Sequence, residues 1–144
     1  MGYRILDHTA DLGVEVSAAT REELYAGAVA ALFDLITDLS SVRPETGREM
    51  AVEGKDPADL LVNFLREALY LWNGEGWLVR TCTVRRADDR CVTALLWGEP
   101  FDPSRHRIKT EIKAVTYHQA SVDPDGDGWK ACMVFDVRKH WRES

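Results

Sequence analysis

The chain has 144 residues, 45% of them hydrophobic and 29% charged, the length and balance of one soluble globular domain and neither a multidomain machine nor a disordered segment. At that size a single core buries roughly 68–70% of the unfolded chain's surface, so no disulfide or structural metal is needed for folding. With 18 Lys and Arg against 24 Asp and Glu the net charge is −6, which argues against direct nucleic-acid binding, because that rests on cations neutralising phosphates.

The opening MGYRILDHTADLG contains no apolar signal core, and no stretch approaches the roughly 18 apolar residues of a membrane span, so the expectation is a cytoplasmic protein without membrane contact. Cys82, Cys91 and Cys132 are odd in number and show no C-x-x-C spacing. They read as reduced thiols, since neither a zinc site nor a disulfide framework fits that pattern.

Along the chain, Leu12, Val14 and Val16 alternate with Gly13, Glu15 and Ser17, the period-2 pattern of a half-buried strand, and Asp11 shares the polar parity. Thr20 and Glu23 match a capping box and open a helix. Its stripe of Leu24, Ala28, Ala31, Leu32, Leu35 and Ile36 is read as core packing. After Thr37-Asp38-Leu39-Ser40 an irregular stretch is expected through Pro44 and Gly47. Asp56-Pro57 announces a second helix, an N-cap carboxylate followed by proline where its missing N–H costs nothing. That helix is strongly apolar from Leu60 to Leu71 and ends at Asn73-Gly74-Glu75-Gly76.

From Trp77 the pattern turns to strands. Residues 78–86 and 91–97 flank the tight connection Ala87-Asp88-Asp89-Arg90, and residues 109–122 and 129–137 flank Asp123-Pro124-Asp125-Gly126-Asp127-Gly128, which has the composition of a hairpin turn. The order β-α-α-β-β-β-β implies an α+β single domain: a mixed, mostly antiparallel sheet with two helices packed on a face.

Three local features carry chemistry. D-P-D-G-D-G resembles the start of a calcium loop, but position twelve is Val134 where a bidentate glutamate is required, and the flanks read as strands. His8 and Asp11, placed just before a strand, offer a metal ligand or a proton carrier. Asp136 interrupts Met133-Val134-Phe135-Asp136-Val137, where a carboxylate is costly unless water, a donor or a cation compensates it. Lys113, His118 and the loop around His106 are read first as surface or strand residues. Phosphate-binding glycine loops, G-x-S-x-G and H-E-x-x-H are absent from the sequence.

Taken together, several segments resemble the archease family. They are Asp7-His8-Thr9-Ala10-Asp11-Leu12-Gly13-Val14-Glu15-Val16, then Leu60-Leu61-Val62-Asn63-Phe64-Leu65, then Gly98-Glu99-Pro100-Phe101-Asp102-Pro103 with His106. Lys109-Thr110-Glu111-Ile112-Lys113-Ala114-Val115-Thr116-Tyr117-His118 and Phe135-Asp136-Val137 complete the set, in register over nearly the whole chain. Residues 1–137 are accordingly read as the archease-like domain. Residues 138–144 form a short basic, aromatic tail outside the shared pattern, to which no role is transferred.

The resemblance implies a non-catalytic protein cofactor that activates the RtcB-type RNA ligase, promoting its guanylylation and multiple turnover in tRNA splicing and RNA repair. It also implies a divalent-metal site made of Asp11, Asp136 and the backbone carbonyl of Val137, with Lys113 matching a lysine implicated in activation. His8 and His118, in the same motifs, are further candidates for partner contact. An oxygen-only ligand set suits Ca²⁺, with Mg²⁺ or Mn²⁺ as alternatives to it. Pairing Asp11 with Asp136 requires the first and last strands to lie side by side. Two rival readings are an autonomous metal-dependent phosphohydrolase using His8, Asp11 and Asp136, and a chaperone-like scaffold without metal chemistry.

Overall fold

The computed structural model describes residues 5–142, with side chains described over residues 10–138. Strand β1 (Ile5–Ala18) is followed by helix α1 (Arg21–Ile36), a 3-10 turn (Leu39–Ser41), β2 (Thr46–Glu53) and α2 (Pro57–Asn73). Four strands then run in succession: β3 (Trp77–Ala87), β4 (Cys91–Pro100), β5 (Glu111–Asp125) and β6 (Gly128–Arg142). The α+β reading holds, and the pairings between these strands are all antiparallel. They divide, however, into two three-stranded sheets, β1-β6-β5 and β2-β4-β3. Each helix touches both sheets: α1 packs on β3 and on β1 and β6, while α2 packs on β5 and β2.

Local signals explain the helices. Thr20 accepts a hydrogen bond from the Glu23 N–H at 3.1 Å, and Asp56 accepts one from the Asp59 N–H at 2.9 Å with Pro57 in the first turn. Both satisfy donors that a helix start leaves free. In α1 the buried set is wider than the sequence stripe: Tyr25, Val29 and Phe33 join Leu24, Ala28, Leu32 and Ile36, whereas Ala31 and Leu35 stay partly exposed. A helix wedged between two sheets must be apolar over much of its circumference. At the end of α2 it is Gly76, with φ +65°, that takes the left-handed conformation; Gly74 remains helical at φ −95°.

The strands depart from expectation in three places. β2 was not foreseen: it begins at Thr46, at the end of the stretch expected to be irregular, and runs on to Glu53. It pairs only with β4, and Val52 is its one fully buried residue, so its pattern is that of a polar edge strand. β1 begins at Ile5, which places His8 and Asp11 inside the strand instead of before it. β6 continues through Arg142, so residues 138–142 of the expected tail extend the strand; Glu143 and Ser144 lie outside the described residues.

Both expected hairpins form. Asp125 pairs with Gly128 around Gly126 at φ +58°, which settles the calcium-like sequence as a tight turn between strands. In the other, Asp88 accepts from the Arg90 and Cys91 N–H groups, each at 2.8 Å. Packing requires glycine at position 98 in β4, where a Cβ would stand 1.9 Å from the Leu78 carbonyl oxygen of β3.

Candidate functional site

The outward face of the β1-β6-β5 sheet brings the two predicted aspartates together. Ala10, Leu12, Val14 and Val16 pack against the core from β1, as do Ala131, Met133, Phe135 and Val137 from β6. Alternation therefore sends Asp11 and Asp136 to the opposite face. The register makes them direct partners across the β1–β6 ladder. Side chains so placed lie about 4.5–5.5 Å apart at Cβ, where like charges repel. Asp11 is exposed and Asp136 half-buried. Asp136 Oδ1 is buried and, among the described residues, has no hydrogen-bond partner. Arg138, two residues along the same face, lies 3.9 Å from Glu111, its partner across the β5–β6 ladder. A buried carboxylate oxygen facing a second carboxylate calls for a cation or a proton. The Val137 side chain is in the core, so only its backbone is available to a ligand.

Lys113 adjoins this pair through an irregularity. Ile112 is opposite Val137 and Ala114 opposite Asp136, so Lys113 is the inserted residue of a β-bulge facing the Asp136–Val137 step. It is exposed and lines a shallow groove of about 240 Å³ with Arg66, Leu69, Tyr70 and Asn73 of α2. Among the described residues it makes no hydrogen bond or ion pair. The bulge is held from the helix side, because Arg66 Nε donates to the Val115 carbonyl at 3.1 Å and Asn73 Nδ2 to the Ile112 carbonyl at 3.0 Å.

His118 sits in a second irregularity, an excursion of residues 117–120 between Thr116, opposite Val134, and Ser121, opposite Cys132. Gln119 adopts φ +57° there, a costly conformation for a residue with a side chain. Tyr117 is anchored to α2, its hydroxyl 3.3 Å from Asn63 Oδ1 and its ring 4.5 Å from the Arg66 guanidinium. His118 itself is exposed, at the level of Met133 instead of Asp136. His8 pairs by backbone register with Lys139, and its side chain lies outside the described residues.

The G-E-P-F-D-P segment has a role that its sequence did not disclose. Glu99 is 2% exposed and receives hydrogen bonds from the Arg43 N–H at 2.7 Å, from Arg105 Nη1 at 3.0 Å and from Arg105 Nη2. His106 Nε2 is 2.8 Å from the same carboxylate, and its Nδ1 accepts from the Asp102 N–H at 2.8 Å, which identifies the neutral ring with its proton on Nε2. The Arg105 guanidinium, above all, brings the Glu99 carboxyl down to about 2. His106 is thus neither a surface nor a strand residue but a buried loop anchor. The legible signal was a glutamate between glycine and proline at a strand end, with Arg and His six and seven residues later.

Among the described residues no other reactive cluster is assembled. The three cysteines are free, and burial pushes the Cys82 thiol up to about 12, far from a nucleophile's range. Among the described residues no three His, Cys, Asp or Glu side chains converge. A cation here would rest on the aspartate pair together with backbone or water oxygens, a donor set that suits a hard divalent ion. No helix of the described residues is long and apolar enough to cross a membrane.

Residues 3–137 match the model of the archease protein family (MTH1598/TM1083). The protein archease of Methanopyrus kandleri is 39% identical over 140 residues, 95% of this chain and 100% of that protein. The one from Methanosarcina barkeri is 37% identical over 139 residues, covering 94% and 95%. The solution structure of protein 1598 of Methanobacterium thermoautotrophicum aligns with a TM-score of 0.72 at 26% identity, covering 94% of this chain and 98% of that one. A crystal structure from Thermotoga maritima, described as an archease and possible chaperone, shares the fold with a TM-score of 0.60 at 23% identity, covering 91% and 94%.

Proposed function

The chain belongs to the archease family, and from that premise we propose that it activates an RtcB-type RNA ligase in the cytoplasm, promoting ligase guanylylation and multiple turnover in tRNA splicing and RNA repair. The observation that supports this most is the buried Oδ1 of Asp136 opposite Asp11, without a partner among the described residues, a position that a divalent cation would satisfy. Asp11 and Asp136 supply carboxylate oxygens and Val137 its backbone carbonyl, with Ca²⁺ the best-suited ion and Mg²⁺ or Mn²⁺ the alternatives. When bound, such an ion supplies positive charge that neutralises the paired carboxylates and leaves open positions for a phosphate or partner oxygen.

Lys113, whose backbone faces the Asp136–Val137 step, offers its ammonium from the groove against α2, to a GTP phosphate or to an acidic ligase residue. His8 and His118 are assigned to partner contact at the margins of the same sheet. Net negative charge fits a protein that reaches RNA chemistry through an enzyme partner and does not bind RNA itself.

The test is reconstitution of the cognate ligase with GTP and a broken RNA, with and without this protein. Stimulated guanylylation and multiple turnover are expected, and both should fail with Asp11→Ala or Asp136→Ala. Full stimulation by both variants would refute the reading. Phosphoester hydrolysis by the purified protein alone with Mg²⁺ or Mn²⁺ would instead favour the phosphohydrolase.

A further inference from the structure

Among the described residues, three buried side-chain polar atoms lack a hydrogen-bond partner: Tyr25 Oη, Thr116 Oγ1 and Asp136 Oδ1. Tyr25 is in the helix core, its ring edge-on to Phe64 at 5.5 Å. The other two share a face. Thr116 is opposite Val134, Asp136 is two residues further along β6, and alternation puts all three on the outward side of the β1-β6-β5 sheet. Thr116 and Asp136 are thus diagonal neighbours across the β5–β6 ladder, a spacing that side chains and a single water can bridge. Ala114, a small residue, is directly opposite Asp136 and next to Thr116 on that face.

An unpaired hydroxyl in such a place is unfavourable by itself, and valine would fill the same volume on a strand without that penalty. Two orphaned oxygens on neighbouring rows of one face are more simply explained by one shared ligand than by two independent faults. We propose that Thr116 is an outer member of the cation site: its hydroxyl accepts a hydrogen bond from a water molecule bound to the cation that Asp11 and Asp136 hold. The inference rests on the cation reading above and adds a residue to it. Hydroxyl groups of this kind orient bound water and tune how tightly the ion is held.

The experiment is calorimetric titration of Ca²⁺ into the full chain, with melting temperatures in EDTA, for wild type, Thr116→Val, Thr116→Ser and Asp136→Asn. Thr116→Val should weaken Ca²⁺ binding roughly tenfold yet raise the melting temperature in EDTA, because an unsatisfied group has been removed. Thr116→Ser should retain wild-type affinity. Wild-type affinity in Thr116→Val, with Asp136→Asn binding none, overturns the role of Thr116 and leaves the aspartate site standing. Equal loss in the valine and serine variants also overturns it, since packing would then be the cause. Absence of binding by the wild type to Ca²⁺, and to Mg²⁺ and Mn²⁺ titrated in the same way, overturns both readings.

Discussion

Asp11 stands directly opposite Asp136 although the two belong to the first and last strands of the chain. Two carboxylates in that relation oppose folding unless something positive or a proton lies between them. Replacing either by asparagine should therefore abolish ligase stimulation and, in EDTA, leave the melting temperature equal or higher. In saturating Ca²⁺ the order should reverse, because only the wild type gains from binding; an ion at a hundred times its dissociation constant contributes about 2.7 kcal/mol. Differential scanning calorimetry with and without Ca²⁺ checks this.

In the proposed reading Lys113 offers charge without holding the ion, so its variants should separate the two functions. Lys113→Glu should cut guanylylation of the ligase by an order of magnitude or more while leaving Ca²⁺ affinity within about twofold. A single-turnover guanylylation assay beside a Ca²⁺ titration decides it, and parallel loss of both would place Lys113 among the ion's own ligands.

Gly98 and Gly13 make a controlled pair for stability. A methyl on Gly98 would meet the Leu78 carbonyl oxygen at 1.9 Å, a backbone atom that cannot move without disturbing the β3–β4 ladder. Gly98→Ala should cost about 3 kcal/mol or more. At Gly13 the added carbon meets nothing within 4 Å. Gly13→Ala should change stability by less than about 0.5 kcal/mol. Urea unfolding of both variants measures the contrast.

Glu99 should dominate the acid limb of stability. Its carboxyl is brought from an ordinary 4.5 down to about 2, first by Arg105. A group depressed in the folded state contributes fully above its unfolded value and loses that contribution as pH falls through the folded value. Wild type should therefore lose stability between about pH 4.5 and 2, and Glu99→Gln should lose less over that window from a lower starting point. Removing one partner of a buried ion pair costs about 3 kcal/mol at neutral pH. Urea midpoints at pH 7, 4 and 3 test the slope and the offset.

What could be read in advance was whatever depended on neighbours in sequence. Thr20 and Asp56 cap helices through bonds to residues three positions on, and the Asp125-to-Gly128 turn closes on itself. The oddity of Asp136 was legible because a single strand shows its alternation. Its partner was not, since Asp11 is brought there by strand pairing, and only the family resemblance joined them. β2 escaped notice because Arg48 and Glu49 belong to an edge strand with little buried surface. The bulge at Lys113 and the excursion at His118 are offsets between two strands, which one strand's pattern does not record. Glu99 was half legible: Arg105 and His106 lie six and seven residues further on, whereas Arg43 reaches it from a distant segment.

The grip of α2 on β5 also bears on how copies of this protein behave toward one another. β5 is the outer strand of its sheet, and an outer strand's free carbonyls invite a stranger's N–H groups. Arg66 and Asn73 occupy two of them, at Val115 and Ile112, on either side of the bulge. Side chains from a helix thus stand in for the strand that would otherwise be recruited. At high concentration this margin of the molecule should resist sheet-to-sheet aggregation for as long as those two residues remain.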